Sequence, residues 1–367
     1  MDAGRMEARV KHPMRIAVVA TAEAGGMPSS VVRGFQQLGQ VVELVPYLDW
    51  FPTIRSDRRG MGLINRRLHD LGRPWAAART IAAIRRFAPD LVLVLKSDDL
   101  SPLFYTALRR VSGATIVAFH PDDPWNSGRG ALRTGPAHAN ALKQMLAVDM
   151  MFLWSHALVA KARARGANAH YLAFACDPAL HPPDVVPDDT QRAAFAADVV
   201  FVGNWELERE RMLAPLAESG VDLAIWGTGY WRDRCKNEAV RKAWRGRPLM
   251  GEEQALAVKC ANLSVNILRL QNKGSTNMRT FEVPCIGGFL LHEASDEAAA
   301  FFPVGEASAS FDGPEGLVVA VKTWLAAPAA RRASVAAEGQ RRALALTYRE
   351  WASTMLEIIS EFKQSRG

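Results

Sequence analysis

The chain has 367 residues, and what it lacks is informative. No apolar run reaches the roughly 18 residues that a membrane span needs; the longest, such as Leu91–Leu95, have the length of a buried strand. Cysteine is scarce. Cys176, Cys235, Cys260 and Cys285 stand far apart with no CxxC pair, so neither disulfides nor a cysteine metal cluster is expected, and the thiols read as buried in a reducing cytoplasm. The start, Met1–Pro13, is charged and has no apolar h-region, so no secretion signal is expected and the location reads as cytoplasmic. Local concentrations of base at Arg79–Arg86, Arg241–Arg247 and Arg331–Arg342 are not interleaved with aromatics, and they read as solvated helix faces with no nucleic-acid partner.

Hydrophobic residues make up 49% of the chain and charged ones 23%, the balance of a soluble globular protein long enough for two cores. Against 38 acids stand 45 Lys and Arg, a net charge of +7. That excess favours anionic ligands, or a weak peripheral contact with an anionic membrane surface.

Short runs rich in β-branched residues alternate with amphipathic stretches. Strands are predicted at Arg15–Ala20, Val41–Pro46, Leu91–Lys96, Thr115–His120, Met150–Trp154 and Ala169–Ala173, with helices between them such as Ser29–Leu38, Trp75–Phe87, Pro102–Val111 and Ala157–Arg165. A second set follows at Asp198–Gly203, Asp222–Trp226, Leu263–Leu268, Gly288–Leu291 and Ser308–Phe311, with helices at Glu206–Glu218, Glu252–Cys260, Asn277–Cys285, Glu297–Phe302 and Glu315–Ala326. Continuous apolar strands alternating with helices call for parallel sheets covered on both faces. The expected fold is therefore α/β, two doubly wound Rossmann-like domains facing a cleft. A flexible start (1–13) precedes the first domain (14–180), a proline-rich and acidic linker (181–197) joins it to the second (198–346), and a C-terminal helix (347–367) braces the first. In such folds ligands bind at the carboxyl ends of the strands, so the loops there are where chemistry is sought.

The most telling loop is Asn272–Thr276, followed by a short helix from Asn277 that carries Arg279 and Glu282 one turn apart, then a Gly287–Gly288 break into the strand Phe289–Leu291. A helix start preceded by Gly, Ser, Thr and Asn, with cations close by, suits a diphosphate, because free N–H groups and the positive end of the dipole point at the anion. The same residues also make ordinary capping chemistry. Glu282 is placed to accept hydrogen bonds from ribose hydroxyls. Two preceding strand ends of the second domain have similar character. Gly203–Asn204 leads to Arg209 and Arg211, planar donors for a diphosphate, and Trp226–Gly227–Thr228–Gly229 suits a flat base lying against main chain, without GxGxxG spacing. Arg269 and Lys273 lead into the Ser275–Thr276 loop.

In the first domain, the loop Thr21–Ser30 is a weak glycine signal, and His156 reads as a residue of a helix's first turn, capped by Ser155. The loop His120–Pro121–Asp122–Asp123–Pro124–Trp125–Asn126 is polar and aromatic. Its imidazole and two carboxylates are candidates for a general base, and Trp125 offers a face to a pyranose. A proline-bounded turn capped by Asp122 explains it equally well. No third ligand accompanies the two acids at suitable spacing, so no metal is expected.

Together, Phe201–Trp205, Trp226–Gly229, Asn277–Phe289, Phe301–Pro303 and Tyr348–Arg349 resemble the spore-maturation-protein-type glycosyltransferases, which have the GT-B fold and are similar to the group 1 sugar transferases. The resemblance is strong over Asp198–Glu361 and looser before it, where His120–Trp125 and Tyr171–Pro178 carry it. It implies a UDP-, GDP- or dTDP-sugar donor on the second domain, a polysaccharide, lipid or protein acceptor on the first, no resident cofactor and no catalytic metal. It places Glu282 on the donor ribose and Arg279 and Lys273 at the diphosphate. One departure stands out: where many group 1 transferases have a second glutamate, eight positions before Glu282, this chain has Gly274. A sugar-nucleotide isomerase or epimerase, and a non-catalytic binding protein, remain the alternatives on the same plan.

Overall fold

The computed structural model describes residues 12–22, 26–50, 61–96, 100–125 and 136–365. Glu23–Gly25 of the first glycine loop and Asn126 lie outside the described residues. The chain divides into two compact units, one of Met1–Leu172 with Ala352–Gly367 and one of Ala173–Trp351.

The first unit is a six-stranded sheet of β1 (Arg15–Ala20), β2 (Val41–Pro46), β3 (Leu91–Leu95), β4 (Thr115–His120), β5 (Met150–Leu153) and β6 (Ala169–Tyr171), in the order β2-β1-β3-β4-β5-β6. Every pairing is parallel. Its helices are α1 (Met27–Gln37), α2 (Met61–Phe87), α3 (Pro102–Val111), α4 (Pro136–Ala147) and α5 (His156–Arg163). All five residues of β3 and all but the first of β1 are buried, which is why these strands are unbroken apolar runs and not alternating ones. The sequence pattern starts α2 at Trp75; the helix instead spans Met61–Phe87 and runs through Pro74. Two non-glycine residues bracket β3 with left-handed backbone, Ala88 at φ 48° and Lys96 at φ 47°.

In the second unit come α6 (Asp189–Phe195), β7 (Ala197–Val202), α7 (Leu207–Glu218), β8 (Leu223–Trp226), α8 (Tyr230–Asp233), α9 (Glu238–Ala243), α10 (Gly251–Lys259), β9 (Ala261–Asn266), α11 (Met278–Ile286), β10 (Leu290–Glu293), α12 (Asp296–Phe301), β11 (Ala309–Phe311), α13 (Gly313–Ala326) and α14 (Ala329–Ala343), with α15 (Tyr348–Gln364) spanning the division. The parallel order is β11-β10-β9-β7-β8. Along β7, Val199 and Phe201 join the core under α7 and α13, whereas Val200 joins the one under α6 and α10. The alternation follows from the two-residue period of a strand. The pattern does not single out α4, α6, α8 and α9, and α6 lies within the stretch read as linker, where Asp188 and Gln191 form a capping box.

Candidate functional site

In the second sheet β8 lies on one side of β7 and β9 on the other, so the connections reverse direction between β7 and β9. Ligands of open α/β sheets bind at such a reversal. Four basic residues converge there.

Arg209, on α7, is buried and donates Nη1 to the Asn204 carbonyl at 3.0 Å and Nη2 to the Ile267 carbonyl at 3.3 Å, tying the ends of β7 and β9. Burial pushes its guanidinium down to about 10, with Arg269 lowering it further and Glu206 opposing. Arg211 faces solvent. Arg269 donates Nε to Glu206 at 2.5 Å. Lys273, past a 3-10 turn at Leu270–Asn272, gives its ammonium to Glu293, whose other oxygen accepts from the Leu268 amide at 2.9 Å. Burial lowers the Lys273 amine, as does Arg209, against Asp312 and Glu208. Gly274 holds φ 75°, so a glutamate at this position would need left-handed backbone.

Helix α11 begins with a capping box: Asn277 Oδ1 accepts from the Thr280 amide at 3.1 Å and Thr280 Oγ1 from the Asn277 amide at 3.1 Å. Asn277 and Asn266 exchange side-chain hydrogen bonds of 2.9 and 3.0 Å, and Thr280 Oγ1 lies 2.9 Å from His292 Nε2. Burial lowers His292 to about 3, so the ring is neutral. With Nδ1 donating to the Glu293 carbonyl, Nε2 is the acceptor and the threonine hydroxyl the donor. The side chains of Asn277 and Thr280 are thus spent on building the helix start. What remains for an anion are the first-turn main-chain N–H groups other than that of Thr280, which have no partner within a helix. Ser275 donates to Glu297 and its carbonyl accepts from Ser295 at 2.7 Å; Thr276 is fully buried, with no hydrogen-bond partner for Oγ1.

Arg279 donates Nε to the Val202 carbonyl at 3.2 Å and Nη1 to Glu282. Burial, with Arg209 nearby, lowers its guanidinium to about 10. Glu282 is 2% exposed. Its Oε2 also accepts from Gln254 Nε2 at 3.3 Å, and His181 Nε2 lies 3.8 Å from Oε1. Burial pushes His181 down to about 4, with Arg279 adding to the effect and Asp177 opposing it. The helix ends at Gly287 with φ 88°, and a Cβ on Gly288 would stand 2.2 Å from Val258, so the Gly-Gly break is required by packing.

The loop after β8 is packed against its neighbours. A Cβ on Gly227 would lie 2.2 Å from the Gly203 carbonyl, and one on Gly203 would lie 2.8 Å from the Phe201 ring. The Trp231 and Trp244 indoles donate to the Gly203 and Gly227 carbonyls, both at 2.9 Å. Trp226 is buried beside Phe195, with Arg247 5.6 Å from its ring centre. The glycines at 203 and 227 are therefore explained by close approach of main chain, while Thr228 and Gly229 are partly exposed at the rim.

In the first unit, His120 is buried at the end of β4 with Nδ1 2.8 Å from the Asp122 carbonyl. Asp122 pairs with Lys96 at 2.6 Å, and Asp123 caps the turn by accepting from the Trp125 amide at 2.8 Å. Trp125 lies beside α5, with Lys161 and Arg165 6.0 and 5.9 Å from its ring centre. His156 stacks on Tyr171 at 3.8 Å.

Residues 209–357 match a family model described as glycosyl transferase-like. No curated protein matches the chain. Among solved structures it is similar to a sucrose-phosphate synthase from Thermosynechococcus elongatus (TM-score 0.69, 13% identity, covering 96% of this chain and 100% of that one). A UDP-forming trehalose-phosphate synthase from Burkholderia vietnamiensis is also similar (0.66, 16%, 97% and 99%), as is Anabaena HepE in complex with UDP-glucose (0.62, 11%, 95% and 100%). The family match covers less than half of the chain and falls mostly in the second unit. The likeness to these structures is one of fold, the two parallel-sheet units of the GT-B architecture. The comparisons give no support to an isomerase.

Several residues of this site escape the sequence reading. Asn266 and His292 did leave a signal, since each puts a polar side chain at the carboxyl end of an apolar strand. Gln254 and His181, which meet Glu282 from α10 and from the segment before α6, left none that a single sequence exposes. Glu293 and Lys96 follow apolar runs and look like ordinary strand ends.

Proposed function

We propose that the chain is a glycosyltransferase that takes a sugar from a nucleoside-diphosphate donor bound by the second unit and places it on a hydroxyl acceptor, in the manner of the spore-maturation-protein type. The observation that carries the donor assignment is the start of α11 at the β7/β9 reversal, with Arg279 in its first turn and Glu282 in its second. Charge that grows on the departing diphosphate meets the helix N–H groups, Arg209, Arg279 and Lys273, all fixed before the reaction begins; such prearranged charge is commonly the largest contribution to catalysis. Glu282 holds ribose. Loops ending at Gly203, Asn204, Arg269, Ser275 and Thr276 shape the diphosphate end, and the rim at Thr228–Gly229 the base end.

The acceptor is assigned to the loop after β4. Lys96 pairs with Asp122, and the hydrogen bond from His120 Nδ1 directs Nε2 away from the Asp122 carbonyl. These groups and Asp123 orient or deprotonate the acceptor hydroxyl. In this reading the chain's own cations take the role a metal could serve. UDP-glucose, seen with HepE, is the first donor to try.

A thermal-shift screen with UDP, GDP, dTDP and their sugars tests the assignment, because a ligand that binds only the folded chain raises its melting temperature. One nucleotide series is expected to stabilise the protein, and Glu282→Ala to remove most of that stabilisation. No shift from any of them, or unchanged nucleotide affinity by calorimetry in Glu282→Ala, would overturn it.

A further inference from the structure

In the ligand-free chain the carboxylate assigned to ribose is already occupied. Glu282 Oε2 accepts from both Arg279 Nη1 and Gln254 Nε2, and Oε1 faces His181. Arg279, the cation assigned to the diphosphate, is the group that holds it, one turn earlier on the same helix. The pattern repeats: Lys273 is held by Glu293 and Arg269 by Glu206. Arg209 differs, since its terminal nitrogens are held by two carbonyls, so its positive charge is not cancelled by a contacting acid.

We infer that Arg279 is a placeholder on Glu282, drawn off by the diphosphate, so that the ribose subsite opens only when the anion subsite is filled. This rests on the donor reading above. Gln254 and the partly buried guanidinium together fill both lone pairs of Oε2, and Oε1 faces His181, so the carboxylate does not have one oxygen to offer to each of two ribose hydroxyls. A diphosphate beside Arg209 offers Arg279 a second bidentate partner of higher charge. Once the guanidinium turns to it, Gln254 still holds the Glu282 carboxylate in place, and the freed lone pair is open to the sugar. The site thereby discriminates by state of phosphorylation: a nucleoside alone has nothing with which to displace the guanidinium. Two ligands that each favour the same rearrangement must favour each other's binding.

The wild-type chain supplies the test. Calorimetry of uridine and of guanosine, each with and without saturating inorganic pyrophosphate, is expected to show pyrophosphate tightening the nucleoside that matches the donor by about tenfold. Arg279→Gln is expected to act in opposite directions on two ligands, tightening that nucleoside severalfold while weakening its diphosphate by at least about tenfold. Circular dichroism and the melting temperature establish that the variant is folded. Nucleoside affinity unchanged or weakened by pyrophosphate in a wild-type protein that binds the nucleoside diphosphate would overturn the inference and leave the donor assignment standing. A wild-type protein that binds no nucleoside diphosphate would overturn both.

Discussion

The two sheets share one architecture and end very differently. At the carboxyl edge of the second, Arg269, Lys273 and Arg279 are each matched to a carboxylate, Arg209 to two carbonyls, and a helix start is braced by an asparagine pair and a neutral histidine. At the edge of the first, the described residues show one cation, Lys96, set against Asp122 on a left-handed backbone. The second edge is built around positive charge that a leaving anion can use. The first sets an ion-paired carboxylate beside a buried imidazole, where the proposed reading puts the acceptor hydroxyl. A common fold supplies the scaffold for both; side chains in a few loops set the chemistry.

The sharpest way to test this contrast is to remove the central acid of each edge. Glu282→Ala is expected to cost about a hundredfold in nucleotide affinity, since it removes the charged acceptor assigned to two ribose hydroxyls, on the order of 3 kcal/mol. Asp122→Asn should leave nucleotide affinity unchanged in the same calorimetry, yet lower transfer. A nucleotide affinity that falls equally in both variants would erase the distinction between the edges.

Acid should separate the units next. His181 and His292 are neutral in the folded second unit, with pKa values lowered to about 4 and about 3 by burial. Unfolding lets them bind protons from about pH 6.5 downward. Their contribution is therefore fully present above that pH and is lost as the solution falls toward the folded values, on the order of 3 kcal/mol for His181 alone. Hydrogen exchange followed from pH 7 to pH 4.5 should show the second unit losing protection before the first; simultaneous loss would contradict the assignment.

Packing gives a third comparison, within one loop. Gly227→Ala must drive a methyl into the Gly203 carbonyl and is expected to destabilise by about 2 kcal/mol or more. Gly229→Ala meets only flexible side-chain ends at 3.6 and 3.8 Å and should change the melting temperature little. Equal losses at the two positions would show that the close approach at Gly227 is not what fixes that residue. The smallest expected effect is that of a chelator: if chain cations meet the diphosphate charge, EDTA should leave transfer essentially unchanged, and a strong loss restored by magnesium would reassign that task.

Most of the sheet order was legible, because strands buried on both faces write themselves as apolar runs. β1, β2 and β4 fall at their expected limits, and the other strands differ by one or two residues at one or both ends. The start of α2 was read late, at Trp75, whereas the helix carries Pro74 in its interior. At the site, Arg279 and Glu282 could be read as a pair one turn apart. Gln254 and His181 could not, because their contact with Glu282 is made by tertiary packing, which no spacing encodes. Gly203 and Gly227 read equally well as space for a ligand; only the observed contacts show their space filled by main chain and indoles.

Lys96 and Ala88 carry the same backbone twist at opposite ends of β3, and this makes them a matched experiment. Glycine at 88 surrenders only a methyl group and should relieve around 1 kcal/mol of conformational strain. Glycine at 96 relieves a similar amount but also deletes an ammonium. The shortfall between the two gains would measure, in one protein and without any substrate, how much the chain forgoes to keep that amine beside Asp122.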